Sequence, residues 1–344
     1  MSVLTRNVIN KNIIFTDVNF LDTWPKEKNY TYDDLSSYID AIKNILQQNY
    51  NCKHGQTALI GLQTSLLQIA CFFACAELGL TVIILDHTRD DEWYINNRHI
   101  DPKTKSLLPI NYFFVEPKVK GNKHMLFRYI CDTVIEVDLP LLKNTKPNNE
   151  VLSTNNTVLL KCTSSGTTGT AKIITHTHEF MCNLIQRNKK FYYGNVCVTQ
   201  NLNHGSSPAT YFLPSLVSES VQKIISLMVV NLNTFYVNND AIKVDIMKKV
   251  FTNCDVDHLM LPYSHLIDDF LTWANFPKLT LYTLSTIKNK WLDHYKKKKI
   301  KNIISIFGSN ETSGPTFINS IDDENFTENK YWIIDDFYKI NLLN

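Results

Sequence analysis

The chain alternates short apolar segments, rich in β-branched residues, with segments whose apolar residues recur at helical spacing. The first complete unit predicts a strand over 57–62, a helix over 66–78 that ends at Gly79, and a strand over 81–86. Further helices are predicted at about 32–46, capped by Thr31, and at 178–192, 241–251, 264–273 and 291–297. Further strands are predicted at 158–162, 225–230, 234–237, 258–261, 279–284 and 303–307. This alternation predicts an α/β fold built from layered sheets and helices.

The length of the chain allows more than one packed unit. It has 344 residues, of which 44% are hydrophobic, and this is ample for a large core. The polar stretch 144–156, which we call the boundary segment, is the best candidate for a division. We therefore expect an N-terminal α/β subdomain over 1–150 and a second α/β subdomain over 151–344.

Charge and composition argue against several classes of partner. The net charge is +2, so no overall field attracts nucleic acid, and the run Lys296 to Lys299 fits a solvated helix end better than a binding patch. No apolar stretch is long enough to predict a membrane span, and the first residues do not have the pattern of a signal peptide. The eight cysteines form no Cys-x-x-Cys pair and no zinc-finger spacing, so we expect reduced thiols in a cytoplasmic protein.

A loop dense in hydroxyls and glycines follows the strand predicted at 158–162. It runs from Thr163 to Lys172 and can offer phosphate oxygens free backbone N–H groups, hydroxyl donors and one positive charge. A Walker-type loop needs glycine directly before the lysine and serine or threonine directly after it, whereas Ala171 and Ile173 stand there. A flexible linker is not usually preceded by an apolar strand. The candidate phosphate ligands are Thr163, Ser164, Ser165, Gly166, Thr167, Thr168, Gly169 and Lys172.

This strand–loop–lysine order resembles the phosphate-binding loop of the adenylate-forming superfamily, which includes acyl-CoA synthetases, luciferases and peptide-synthetase adenylation domains. The family pattern is Thr/Ser-Ser-Gly-Thr-Thr-Gly-x-Pro-Lys, and Ala171 replaces its proline. The order of elements from residue 30 to 86 is also similar to the family's opening module. The resemblance therefore covers roughly 30–320 and implies the layered αβα large domain of these synthetases.

A second motif lies at the end of the strand predicted at 303–307. The sequence from Phe307 through Gly308 and Ser309 to Asn310 and Glu311 resembles the family's Tyr-Gly-x-Thr-Glu. The resemblance implies that Phe307 stacks near adenine, that Asn310 takes the place of a threonine on the α-phosphate, and that Glu311 binds Mg²⁺.

Other parts of the family pattern are matched less closely. His204 resembles a histidine that lies beside the carboxylate to be activated, and an ordinary loop histidine is the alternative. Asp335 and Asp336 are the candidates for a ribose contact, and the capping of a terminal strand is the alternative. The family's glycine pair before the adenine motif has no counterpart around 283–287.

The resemblance implies an AMP-forming ligase that uses ATP and Mg²⁺ to convert a carboxylic acid to an acyl-adenylate, with catalytic roles for Lys172, His204 and Glu311. Coenzyme A and a carrier-protein thiol remain alternative acceptors. The family's small C-terminal domain, which supplies a lysine, has no counterpart before Asn344. Three outcomes stay open: slow adenylation by this chain alone, a lysine supplied in trans by a partner, or a non-catalytic ATP- or AMP-binding module.

Overall fold

The fold is known from a computed structural model. It describes residues 3–19, 26–62, 65–85, 109–115, 131–138, 142, 146–163, 173–198, 211–228, 248, 251–252, 254–261, 264–309, 314–322 and 332–333. The strands, in chain order, are β1 Ile14–Asn19, β2 Lys26–Tyr30, β3 Thr57–Ile60, β4 Thr81–Ile84, β5 Tyr112–Val115, β6 Thr133–Glu136, β7 Val158–Thr163, β8 Ile173–Thr177, β9 Gly194–Val198, β10 Val221–Met228, β11 His258–Met260, β12 Phe276–Thr283, β13 Ile300–Ser309, β14 Gly314–Ser320 and β15 Trp332–Ile333. The helices are α1 Tyr32–Asn44, α2 Leu66–Glu77, α3 His178–Asn188, α4 Leu213–Val217, α5 Ser264–Trp273 and α6 Leu292–Lys296. Single turns of 3₁₀-helix occupy Arg6–Val8, Lys189–Phe191 and Asn289–Trp291, and a π-helical turn occupies Ile45–Asn49.

Within these residues the strands form two sheets. The larger has nine strands in the order β15-β14-β13-β12-β11-β9-β10-β1-β2, and the smaller has six in the order β6-β5-β3-β4-β7-β8. Both are mixed. The larger has parallel pairs at its centre and antiparallel pairs at both edges, whereas the smaller is parallel from β6 to β7 and antiparallel only at the β7–β8 edge. The expected α/β layering is confirmed. None of the helices among the described residues has the length and apolarity needed to cross a bilayer.

The local signals act as the sequence analysis expects. Thr31 caps α1 in a capping box, because its hydroxyl accepts from the backbone N–H of Asp34 while the Asp34 carboxylate accepts from the Thr31 N–H. The unit β3-α2-β4 has parallel strands, and α2 ends before Gly79, whose φ of +73° suits glycine. The helix predicted over 178–192 ends earlier, at Asn188, and continues as one 3₁₀ turn. The strand predicted at 234–237, and all of the helix predicted at 241–251 except isolated positions, lie outside the described residues.

Alternation along the strands creates three apolar layers. In β3 the side chain of Ile60 joins the main core, whereas that of Leu59 joins a smaller cluster on the other face. In β10 the side chain of Ile224 joins the main core, whereas Ile225 packs with α5. Because α1, α2, α3 and α4 all contribute to the main core, the helices are sandwiched between the two sheets, and α2 is buried on every side.

Four charged side chains are buried where the N-terminal segment meets α1 and α2. Arg6 contacts Asp40 at 2.5 Å and Glu77 at 2.8 Å, and Lys43 contacts Glu77 at 2.7 Å. Burial raises the pKa of Glu77, but the hydrogen bonds and charges of Arg6 and Lys43 outweigh burial and lower it. The cluster is neutral overall, which limits the cost of burying it.

The same cluster holds the boundary segment. Lys43 Nζ donates to the carbonyl oxygens of Asn148, at 2.8 Å, and Glu150, at 2.5 Å. Arg6 also donates to Asn148, at 3.0 Å. The described part of the segment is therefore packed on α1 and α2. Each sheet contains strands that precede residue 150 in the chain and strands that follow it. The division of the chain into two subdomains at this residue stays a prediction.

Candidate nucleotide site

One edge of the larger sheet collects the carboxyl ends of its parallel strands. β9, β11, β12 and β13 are parallel neighbours in that order, so their carboxyl ends face the same edge of the sheet. Cys197 is level with Ile303, three strand spacings or about 14 Å away, and β13 continues past that level to Ser309. The chain that carries His204 continues from β9, and the chain that carries Glu311 continues from β13. Ligands of α/β sheets bind at the carboxyl ends of the strands, and both candidate segments follow strands that end at this edge.

Phe307 and Gly308 lie near the end of β13 and are both exposed. Phe307 is 59% exposed, more than any other large apolar side chain among the described residues. The pairing with β14 shifts register between these two residues, so a bulge bends the strand there. An exposed aromatic side chain at a strand end is the kind of group on which a planar base can stack.

The turn after β12 is held by hydroxyl groups in the place where the family has a glycine pair. Thr283 Oγ1 accepts from the backbone N–H of Ser285 at 3.0 Å. From the neighbouring strand, Ser305 Oγ donates to the Ser285 carbonyl at 2.8 Å. The missing glycines are visible in the sequence, but this replacement is not, because it depends on the pairing of Thr283 with Ser305 across β12 and β13.

The candidate phosphate loop connects two paired strands of the smaller sheet. Thr163 at the end of β7 pairs with Ile173 at the start of β8, so the loop leaves and re-enters the sheet at adjacent positions. Next to this junction, Cys162 Sγ lies 3.7 Å from His176 Nε2, and the His176 ring stacks on Phe180 at 5.1 Å. This thiol–imidazole pair depends on β8, a strand that was not predicted from the sequence.

The helix that follows β8 begins with a neutral histidine. His178 is fully buried, and its Nδ1 accepts a hydrogen bond from the backbone N–H of Leu4 at 3.0 Å. Burial, together with the charge of His54, lowers the pKa of His178 to about 4. His178 therefore ties the N-terminal segment to α3 and adds no positive charge near the loop at neutral pH.

Most of the predicted ligands are not described by the structure. Thr163, Phe307 and Gly308 are placed as given above. The candidates outside the described residues are Ser164, Ser165, Gly166, Thr167, Thr168, Gly169, Lys172, His204, Asn310, Glu311, Asp335 and Asp336. The convergence of Lys172 and Glu311 on one nucleotide therefore stays a prediction.

The chain matches the AMP-binding enzyme family over residues 14–331, which is most of its length, and it belongs to that family. The resemblance found in the sequence is confirmed. No curated protein matches the chain in sequence.

Solved structures share the fold at low sequence identity. The o-succinylbenzoate coenzyme A synthetase from Bacillus subtilis in complex with AMP is 12% identical, with a TM-score of 0.64, and the match covers 89% of this chain and 73% of that one. A fatty acyl-adenylate ligase from L. pneumophila in complex with acyl adenylate and pyrophosphate is 13% identical, with a TM-score of 0.67 and coverage of 94% and 58%. The inhibitor-bound N-terminal domain of FACL13 from Mycobacterium tuberculosis is 13% identical, with a TM-score of 0.63 and coverage of 85% and 72%. At these identities the matches establish the layered fold and do not identify a substrate.

Proposed function

We propose that this chain is the nucleotide-binding core of an AMP-forming ligase, which activates a carboxylic acid as an acyl-adenylate. The observation that carries the proposal is the combination of family membership with the placement of the two motifs. The hydroxyl-rich loop bridges paired strands of one sheet, and the acidic motif follows the parallel strand β13 of the other. Neighbours in complex with AMP, with ATP and magnesium ion, and with acyl adenylate and pyrophosphate support the same reaction.

The proposed roles follow from the chemistry of each group. Lys172 and the loop hydroxyls hold the polyphosphate, and Phe307 packs against adenine. Glu311 is the Mg²⁺ ligand, because carboxylate oxygens are the ligands that this hard cation prefers. Asp335 or Asp336 accepts hydrogen bonds from ribose hydroxyls. Asn310 can donate an amide N–H to the α-phosphate.

In the proposed reaction a carboxylate oxygen attacks the α-phosphorus and pyrophosphate leaves. The side chains perform no covalent step, so catalysis consists of positioning the carboxylate, to which His204 is assigned, and of neutralising charge on the phosphates. Mg²⁺ supplies charge neutralisation when bound. The sequence does not determine whether the acid is fatty, aryl or amino.

The acceptor and a further domain belong to the same proposal. A B. subtilis neighbour is bound with the product analogue OSB-NCoA, which supports coenzyme A as the acceptor, and a carrier-protein thiol is the alternative. This chain covers 58% to 73% of the three neighbours described above. We propose that a small domain supplies a lysine to the transition state, and a partner that provides it in trans is one of the outcomes tested below. The loss of one such contact lowers the rate by about a hundred-fold or more.

The test is ATP–pyrophosphate exchange with a panel of fatty, aryl and amino acids, measured with and without candidate partner domains. Glu311→Gln should abolish Mg²⁺-dependent exchange. Glu219→Gln, at an exposed turn before β10, is the matched control and should leave exchange unchanged. Absence of exchange with every acid and partner would refute the ligase proposal.

A non-catalytic ATP- or AMP-binding module is the second candidate. It is favoured by Asn310 in place of threonine and by the turn at 283–285, which is held by hydroxyls where the family has glycines. Calorimetry would support this candidate if it detected tight nucleotide binding while the nucleotide remained unchanged after long incubation. Lys172→Ala should weaken ATP binding under both proposals, so it tests the site and does not discriminate between them.

A further inference from the structure

One partly exposed thiol of this chain lies beside a histidine ring. All eight cysteines lie within the described residues, and six of them are buried. Burial raises the pKa of five of the buried thiols, those of Cys52, Cys71, Cys75, Cys182 and Cys197. These thiols are poor nucleophiles because the thiolate is the reactive form. The two partly exposed cysteines are Cys131 and Cys162.

Cys162 has a base beside it. Its Sγ is 3.7 Å from Nε2 of His176, which is 4% exposed and held against Phe180 by ring stacking with an interplanar angle of 10°. The two residues lie on adjacent antiparallel strands, where Cys162 pairs with Ile174. The rigid sheet therefore keeps an imidazole within reach of the thiol proton, as nucleophilic cysteines require.

We infer that Cys162 is a modification site for low-molecular-weight disulfides of the glutathione type, and that its modification prevents nucleotide binding. The inference rests on the proposed function. His176 Nε2 takes the thiol proton, and the Cys162 sulfur attacks one sulfur of the disulfide. A new S–S bond forms as the old one breaks, and the departing thiolate receives the proton from His176.

The link to the nucleotide follows from the position of Cys162. It directly precedes Thr163, the first residue of the candidate phosphate loop, so the two Cα atoms are about 3.8 Å apart. A tripeptide attached at Cys162 therefore lies beside the first candidate phosphate ligand in the chain, and its bulk and charge hinder the approach of a polyphosphate.

The reactivity is tested on the intact chain of 344 residues with iodoacetamide, followed by peptide mass spectrometry at short reaction times. Cys162 should be alkylated at least about ten-fold faster than Cys131, the partly exposed control. His176→Phe retains a ring against Phe180 and should slow Cys162 by about ten-fold without changing Cys131. The buried cysteines in the same digest report whether the variant is folded. Equal rates for Cys162 and Cys131, or no effect of the His176 change in a folded protein, would refute the inference.

The regulation is tested by calorimetry with ATP. The reduced protein should bind ATP, the protein treated with glutathione disulfide should not, and dithiothreitol should restore binding. Cys162→Ser should bind ATP with unchanged affinity and be insensitive to the disulfide. ATP binding that survives modification of Cys162 would refute the regulation and leave the proposed function intact. A reduced protein that binds no ATP would refute the proposed function, whatever the alkylation pattern.

Discussion

A histidine enclosed by tyrosine rings should make the protein sensitive to acid. His258, the first residue of β11, is fully buried, and neither of its ring nitrogens has a hydrogen-bond partner among the described residues. Its ring lies edge-on to Tyr193 at 4.2 Å and stacks on Tyr282 at 5.6 Å. Burial, with a smaller effect of the positive charge of Lys301, lowers the pKa of His258 to about 3. The imidazole is therefore neutral in the folded protein over most of the accessible pH range.

The pH dependence follows from the difference between the folded and unfolded states. An unfolded chain protonates this histidine with a pKa of about 6.5, so stability falls as the pH drops below that value. At pH 5, which is about 1.5 units below that pKa, protonation of the histidine stabilises the unfolded state, whereas the folded state stays neutral. At roughly 1.4 kcal/mol per unit, this is about 2 kcal/mol. At pH 8 both states are neutral and the penalty disappears.

His258→Phe keeps a flat ring between the two tyrosines and removes the titration. Urea unfolding, followed by tryptophan fluorescence, should be measured at pH 8 and at pH 5 for both proteins. The larger phenylalanine ring carries a packing cost that is the same at both pH values. Relative to the native protein, the variant should therefore gain about 2 kcal/mol in its free energy of unfolding between pH 8 and pH 5.

The comparison across pH decides the question, because other titrating groups contribute equally to both proteins. A difference between variant and native protein that stays constant between pH 8 and pH 5 would contradict the reasoning. His265→Phe controls for the loss of a histidine as such, since His265 is exposed on α5.

Two further substitutions test what holds the fold together. Glu77→Gln leaves the buried cations Arg6 and Lys43 without their shared carboxylate, and urea unfolding should show a loss of about 3–5 kcal/mol. The pKa of Glu77 is lowered on folding. Its carboxylate therefore stabilises the native state at pH values above the ordinary pKa of a glutamate, and this stabilisation is lost as the pH falls through the lowered pKa. Gly194→Ala should lower the free energy of unfolding by more than about 1 kcal/mol, since its φ is +61° and a Cβ there would lie 2.1 Å from Asp257 Oδ2.

Matched controls separate the causes. Asp268→Asn removes a carboxylate whose lysine partners, Lys288 and Lys290, have side chains 37% and 60% exposed, and it should cost less than about 1 kcal/mol. An equal loss for Asp268→Asn and Glu77→Gln would show that burial does not decide the effect. Gly55 also has a positive φ, +84°, but no atom lies within 4 Å of a Cβ added there. Gly55→Ala should therefore lower the free energy of unfolding by less than Gly194→Ala does. Equal losses at the two glycines would rule out the predicted clash.

The sequence identified features that are encoded locally. The cap at Thr31, the apolar face of α1 and the glycine after α2 predict those helices, and the bounds of α5 agree with the prediction of 264–273. The loop motif at 163–172 and the motif at 307–311 were readable because each is a short run of particular residue types, and the family match supports the interpretation.

The strands that were missed depend on pairing partners outside their own segment. β8 is Ile173–Thr177, a short segment whose pairing with β7 places His176 beside Cys162. β1 lies in the sheet because Thr16 pairs with Ile225, far along the chain. Pairing of this kind leaves little trace in local periodicity, since either partner alone is only a short apolar run.

The sequence by itself determined the α/β class, several helices and the residue types of both candidate motifs, because hydrophobic period, caps and motif chemistry act over a few neighbouring residues. Only the tertiary structure decided which strands share a sheet, and it also placed the chains leading to His204 and Glu311 at one sheet edge. It fixed the boundary segment as well, through a buried cluster that combines Arg6, Lys43 and Glu77. These contacts join residues far apart in the chain, and their energies depend on burial, which a linear sequence does not display.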